Sequence, residues 1–535
     1  MGGGKHADYF ALVDAQGDAP PSCAEIEAGL EAALTRAPDL AAGAPRYIRI
    51  LLDRFVYTGR DRVTPQATAT ALAILKLLGR GAADGGEMAT GPALDGLLHL
   101  VRTPLETPAG GPVEADIRNE ALTCVANAMC LQPACRAHVA QRRCLEALAT
   151  ALDAAGDDPT TAFLAARCLL FALATEEGAR CGYEELGLQD TIARMAEIHL
   201  GCAAKGECPG RRFTPQQVLA ELLKAGMGMC GFVLRRGHPG SDAQDSVDDS
   251  FPPEMAPRFA RLLQVALDVV RTLPLADGHL AAPAVQAVHI AMNFSTVRPA
   301  EIEQLWFPRD DPWRYVDPLF SCLAGVLDHA VGSDEAASLA DTIDRYQFEF
   351  PPLAMAVARL VTDHARVRER LFPQVYPDNT VDYTVLPEER GGLSAKLVRL
   401  MRIPQGGLLP TAAGDLLLAL LGHDIKGFVM AVGYGNAAGY MVARGIPIPQ
   451  DIVDQVRSSV GASAMVDPVT GRRLDRADVE RELAAMTDEE KEREAERLFV
   501  LFERLNKTGV VKVANPVRLA AECGRLEGPD GSSSK

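Results

Sequence analysis

Phe428-Val429-Met430-Ala431-Val432 runs directly into Gly433-Tyr434-Gly435-Asn436-Ala437-Ala438-Gly439, and the chain continues as Tyr440-Met441-Val442-Ala443-Arg444-Gly445. Two folds accommodate such a stretch. An apolar run, a G-x-G-x-x-x-G turn and a second apolar segment can be strand, phosphate-binding loop and helix, the start of a dinucleotide enzyme. The same residues can be a glycine-broken junction between two helices. A dinucleotide site needs further parallel strands and an acidic residue about 20 positions on to hold the ribose. Asp451 lies near that distance, but Pro447-Ile448-Pro449 stands where the second strand would run, and central strands exclude proline. Upstream, residues 412–421 and 425–432 carry helical patterns, so the junction is the better reading.

Working outward, the composition points the same way. A chain of 535 residues exceeds one compact core, which leaves several domains or one elongated repeat array. Hydrophobic residues make up 48% but aromatics only 5%. The excess is Ala and Leu, which favours helices and undersupplies strands. A net charge of −17 disfavours general attraction to nucleic acid or anionic lipid, so an anionic partner must meet a local basic patch. Twelve cysteines are scattered with no C-x-x-C pair, and Cys124, Cys168, Cys230 and Cys322 sit in apolar helical patterns. They read as buried reduced thiols rather than a zinc or redox motif. No stretch reaches about 18 uninterrupted apolar residues, and the expectation is a soluble cytoplasmic protein. Gly2 suits N-myristoylation, but His6 stands where Ser or Thr is wanted.

Along the chain, helical spacing appears at residues 24–36 and 46–56, and Thr64-Pro65 opens a helix that ends at Gly79. Residues 81–91 and 103–112 read as loops. Helices apolar on most sides then recur: residues 120–127, 163–170, and others beginning near Val218, Ala284, Leu353 and Ala412. Several are followed by a break and a more amphipathic helix, such as residues 139–152. A spacing of about 40 to 65 residues fits helical repeats of armadillo or HEAT type, whose inner helices are buried between neighbours. The competing reading is an irregular all-helical protein without repeats. Residues 237–253 read as a mobile acidic insertion, and residues 305–318, with Trp306 and Trp313, as a packed loop. The expected organisation is an all-α armadillo/HEAT-like solenoid over residues 1–445 and a C-terminal segment over 446–527. That segment carries a charged helix near 488–505, and a disordered tail follows over 528–535.

No H-E-x-x-H, G-x-S-x-G or G-x-x-x-x-G-K-[ST] is present, and no catalytic, metal or cofactor site is expected. His289 reads as a satisfied core histidine. Binding chemistry remains. In solenoids the inner helices line one face, where Asn bonds both donors and acceptors of a partner backbone and Lys or Arg attracts carboxylates. Asn127 and Asn293 both fall late in an inner-type helix. Lys76 and Arg80 are four apart, on one face if the helix persists past Gly79. The asparagines could equally end their own helices and the basic pair be merely solvated.

Four segments resemble one known family, the synembryns, or resistance to inhibitors of cholinesterase proteins. They are Leu397-Val398-Arg399-Leu400-Met401, Val432 to Gly439, Asp467-Pro468-Val469-Thr470-Gly471-Arg472 and Met486-Thr487-Asp488-Glu489-Glu490-Lys491-Glu492. Fainter similarity reaches back to the E-A-L-x-C-x-x-N pattern ending at Asn127 and to Leu75-Lys76-Leu77-Leu78-Gly79-Arg80. It covers most of the chain and is specific over residues 396–508. The resemblance implies an armadillo/HEAT-like superhelix acting as a cytosolic chaperone and non-catalytic exchange factor for heterotrimeric G-protein α subunits. One face would take the C-terminal helix of the α subunit, while the C-terminal segment embraces its GTPase domain. It implies binding by the GDP-bound or nucleotide-free α subunit to a monomer, recruited to the plasma membrane through that partner. It also places Lys76, Arg80, Asn127 and Asn293 in the groove. The family's pattern would put Asn where Gly228 stands, and Ser458, Ser459 and Ser463 lack the closely following acids of a phosphorylation cluster. The alternative function is an armadillo scaffold for some other helical or extended peptide.

Overall fold

The computed structural model describes residues 22–35, 44–57, 63–80, 85–102, 111–206, 211–237, 251–273, 275–296, 300–331, 345–379, 381–403 and 407–447, with residues 449, 487 and 493. Among these the fold is all-α: no strand occurs, and a single isolated bridge joins Ala276 and His279. Contacts divide the chain into two units, Met1–Cys322 and Leu323–Lys535.

The first unit opens with α1 (Cys23–Thr35) and α2 (Ala44–Leu51), the latter passing into a π-helical turn, Leu52–Tyr57. Two layers then alternate. One layer holds α3 (Pro65–Leu78), α5 (Pro112–Leu131), α7 (Pro159–Leu173), α9 (Pro215–Gly237) and α11 (Ala282–Asn293). The other holds α4 (Gly91–Arg102), α6 (Arg142–Ala155), α8 (Leu188–Ala204) and α10 (Ala260–Thr272). Each member of the first set packs on the next member of that set and on the helix before it in sequence. These inner helices begin at residues 65, 112, 159, 215 and 282, so their intervals are 47, 47, 56 and 67 residues. That is helical-repeat order, with the longest interval containing the insertion after Gly237.

Local chemistry sets the starts. Thr64 accepts from the Ala67 N–H at 3.1 Å before Pro65, and Asp158 accepts from Thr161 N–H at 3.1 Å before Pro159. Thr214 and Gln217 form a reciprocal capping box at 2.9 and 3.2 Å around Pro215. Proline at the first helical position lacks only an N–H that would be orphaned anyway. Gly79 ends α3 at φ −82°, not in a left-handed conformation; a Cβ there would lie 1.8 Å from the Met88 Cε, so a larger residue would need the end of that flexible side chain to move. Inner helices bury nearly every face, as with Ala121 to Ala126 of α5, all under 9% exposed. Two thiols bridge neighbours within this layer: Cys124 Sγ donates to Leu72 O at 3.7 Å and Cys168 Sγ to Leu122 O at 3.5 Å. By length and composition α9 could cross a membrane, yet 67% of that apolar window is buried within the protein.

The expected insertion at 237–253 is only partly described: residues 238–250 lie outside the described set, while Phe251 is fully buried against Phe259 and Phe294. The packed loop expected over 305–318 is shorter. Trp306 closes α12 (Ala300–Trp306), is 2% exposed and donates from Nε1 to Phe294 O at 3.1 Å. Helix α13 (Val316–Val331) follows. The indole needed a buried acceptor, and the C-terminus of α11 supplies one.

In the second unit α14 (Phe350–Asp363) packs on α15 (Ala365–Val375) and across α17 (Leu408–Leu420), which also contacts α16 (Gly392–Met401). The stretch that opened the sequence reading is α18 (Ile425–Val432), Gly433 and α19 (Tyr434–Ala443). It is a helix junction, and the strand required by a dinucleotide fold is absent there. Gly433 sits at φ 83°, ψ 146°, its N–H bonded to Val429 O and its carbonyl to Ala437 N–H, so one residue both ends and starts a helix. Gly435 and Gly439 are different: a Cβ at either would meet nothing within 4 Å, so they do not serve a close helix approach. Phe428 packs on Tyr440, whose hydroxyl donates to Asp415 Oδ1 at 2.6 Å beside the bidentate Arg444. The segment expected over 446–527 and the tail over 528–535 lie outside the described residues, apart from positions 446, 447, 449, 487 and 493.

Candidate functional site

Near its C-terminal end each inner helix of the first unit carries polar, aromatic or glycine positions four residues apart, most of them half-buried, which line up as a strip among other partly accessible positions. The pairs are Thr123 and Asn127 on α5, Arg167 and Phe171 on α7, Lys224 and Gly228 on α9, and His289 and Asn293 on α11; Lys76 on α3 and Arg80 just beyond it begin the row. All but the buried Thr123 and the exposed Arg80 are half-buried. An i, i+4 pair shares a helix face, and stacking successive inner helices sets the pairs side by side.

The four predicted residues fare differently. Lys76 is committed to Glu120 of α5, Nζ to Oε1 2.7 Å, with both side chains under one fifth exposed. It is therefore not a simply solvated lysine. Arg80 is exposed in the turn after α3, because the helix does not persist past Gly79. The asparagines differ in place: α5 runs on to Leu131 beyond Asn127, whereas Asn293 is the last residue of α11, before the C-cap residue Phe294. Neither amide has a hydrogen-bond partner among the described residues, which leaves both donor and acceptor available. Gly228 leaves its position on the strip open, with nothing within 4 Å of a Cβ. His289 is satisfied, its Nδ1 against Val285 O at 2.8 Å, but it lies half-exposed on the strip rather than in the core.

Sequence reasoning missed the centre of this surface. Glu221 on α9, 4% exposed at its side chain, receives Arg167 Nε at 3.0 Å and Lys224 Nζ at 2.9 Å. Burial would push its carboxyl up; the hydrogen bonds from Arg167 and Lys224 outweigh that and hold it below the ordinary carboxylate range. The buried anion thus fixes two cations at the solvent edge. Arg167 also lies over the Phe163 ring at 4.7 Å, Phe163 stacks on Phe213 at 3.9 Å, and Arg136 covers Phe171 at 4.9 Å. A signal for Arg167 was present: residues 120–127 and 164–171 align on Cys124 and Cys168, which puts Arg167 at the place of Thr123 and Phe171 at that of Asn127.

With Lys76, Arg80, Arg136, Arg167 and Lys224 against Glu120 and Glu221, the strip carries a positive excess on a chain of net charge −17. Free amides, presented cations and a ring suit a peptide or helix end bearing carboxylates. The fold is that of an all-α helical-repeat protein.

A sequence model of the guanine nucleotide exchange factor synembryn matches residues 71–525, and the chain belongs to that family. Among curated relatives, the chaperone Ric-8A of Macaca fascicularis is 32% identical over 169 residues, 30% of this chain and 31% of that protein. The Danio rerio chaperone Ric-8A is 32% identical over 179 residues, again 30% and 31% of the two chains. A synembryn-like chaperone of Schizosaccharomyces pombe is 27% identical over 199 residues, 35% of this chain and 37% of its own length. The matched region therefore spans about a third of these relatives.

Proposed function

We propose that the chain is a chaperone and guanine-nucleotide exchange factor for heterotrimeric G-protein α subunits, acting by binding and not by catalysis. Family membership over residues 71–525 is the observation that carries this reading, and the positive inner-helix strip is the docking face it requires. The strip takes the C-terminal helix of the α subunit: Lys76, Arg80, Arg167 and Lys224 attract its terminal carboxylate, and Asn127 and Asn293 bond its backbone. The segment over 446–527 holds the GTPase domain. The chain works as a cytoplasmic monomer, brought to the plasma membrane by its partner.

Exchange follows from differential affinity. The chain must hold the nucleotide-free α subunit more tightly than the GDP form, and linkage makes GDP weaken the chain's own binding by the same factor, about 5- to 150-fold. The test is GDP release from a purified α subunit with and without the chain, alongside an α subunit lacking its C-terminal residues. Faster release from the intact subunit and lost binding of the truncated one support the proposal; unchanged release and binding refute it. Intact α-subunit binding by a Lys76→Glu, Arg80→Glu double variant would instead point to a scaffold whose strip serves another peptide.

A further inference from the structure

We propose that Asp95, His138 and Cys144 form a binding site for a divalent transition-metal ion of the Zn2+ type, tying together α4, the short helix Arg136–Val139 and α6. The three side chains come from three separate helices, and their ligand atoms all lie within 4.8 Å of one another. Asp95 Oδ1 is 2.9 Å from His138 Nε2 and 3.9 Å from Cys144 Sγ. Tetrahedral zinc, with bonds of about 2.0 to 2.3 Å, sets its ligand atoms roughly 3 to 4 Å apart, so small side-chain adjustments suffice. The donor set is one oxygen, one imidazole nitrogen and one sulfur, a mixture that favours Zn2+ or Co2+ over the hard cations Mg2+ and Ca2+.

Two surrounding features fit a bound ion. Arg143 Nη2 holds the other carboxylate oxygen, Oδ2, at 2.7 Å, so Oδ1 is turned to the histidine and thiol, as an outer-shell partner would turn it. Gly91 lies against the His138 ring, where a Cβ would come within 3.0 Å of Cε1, so the imidazole rests in a space that a larger residue would close. Asp95 and His138 are 35% and 23% exposed at their side chains, which gives an ion a route in, whereas Cys144 is buried. Binding forms bonds from the metal to Oδ1, Nε2 and Sγ, breaks the Cys144 S–H bond and releases that proton to solvent; water completes the tetrahedron. Thiolate and carboxylate then neutralise the dication. Burial, with the Asp95 charge second, pushes the free thiol up to about 11, so near neutral pH the proton must be displaced by the ion.

No C-x-x-C pattern marks this site, because its ligands sit 43 and 6 residues apart on separate elements. The experiment is titration of the full chain with Co2+, followed by competition with Zn2+. One ion per chain is expected, with ligand-field bands and a thiolate-to-cobalt charge-transfer band. Cys144→Ser should abolish the charge-transfer band, and His138→Gln should weaken affinity by at least about tenfold. Calorimetry of Zn2+ binding in two buffers of different ionisation enthalpy should show about one proton released. A charge-transfer band that survives in Cys144→Ser places the ion at other thiols, such as Cys130 or Cys202, and overturns the proposal. So does the absence of saturable Zn2+ binding below about 1 mM. Should Cys144→Ser not fold, an unchanged affinity in His138→Gln still refutes the site.

Discussion

Replacing Glu221 by Gln removes the charge that holds Arg167 and Lys224 while preserving shape and one acceptor oxygen. A hydrogen bond to a charged group contributes about 1.5–3 kcal/mol. Here the two donors are 39% and 38% exposed at their side chains and can be hydrated when released, which discounts each bond toward the roughly 0.2–1 kcal/mol of an exposed ion pair and leaves a net loss for the two together of about 1–2 kcal/mol. Because Glu221 is depressed in the folded chain, its contribution is complete above the unfolded value of 4.5 and drains away as pH falls through the lower folded value. The variant lacks that contribution throughout, so the difference between the two proteins must shrink as acid is added. Amide hydrogen exchange in α9, corrected for intrinsic rates, reads the local opening free energy in a chain of two units. At neutral pH the variant's slowest α9 amides should exchange about 5- to 30-fold faster, with the ratio approaching one in acid. An unchanged rate at neutral pH, or an acceleration that persists undiminished in acid, would refute the reasoning.

Asn127→Ala and Asn293→Ala should each weaken α-subunit binding by about 1 kcal/mol, roughly fivefold, while moving stability by no more than about 0.5 kcal/mol, since neither amide has a partner among the described residues; titration calorimetry and thermal melts separate the two. Lys76→Glu sets two carboxylates at the α3–α5 contact and should lower the melting temperature, with Glu120→Lys restoring it; no rescue would show that the pair at 2.7 Å is inconsequential. Gly414→Ala puts a Cβ 2.3 Å from the Tyr440 ring, so the ring and its bond to Asp415 must shift, at a cost of about 1–3 kcal/mol in urea unfolding of the second unit.

The inner helices were legible because their burial on nearly all sides leaves an unbroken apolar pattern, which periodicity detects. Their starts were also written in the chain: Pro65, Pro112, Pro159, Pro215 and Pro283 each fall in the first turn. Only the first of these was read as a helix start. Part of the strip was legible. Asn127 and Asn293 stand out by falling late in inner-type helices and Lys76 by its spacing from Arg80, but nothing local marks Glu221, since its burial depends on α7 lying alongside. Arg80 shares the face of Lys76 only if the helix persists past Gly79, and the turn at Gly79 prevents it. The glycines of 433–439 marked the helix junction but not their separate roles: only the fold shows that Gly433 takes a positive φ while Gly435 and Gly439 face open space.

The thiols inside the inner layer give this protein a built-in set of clocks. Cys124, Cys168 and Cys230 occupy three successive inner helices, are fully buried, and have their ionisation suppressed by that burial. An alkylating reagent can reach each one only when its own repeat opens, so the three modification rates, resolved by mass spectrometry, become three separate opening equilibria along one chain. Docking of a client on the strip would slow the clocks beneath its footprint and spare the others, so the order in which cysteines become protected would trace how far along the array the client extends.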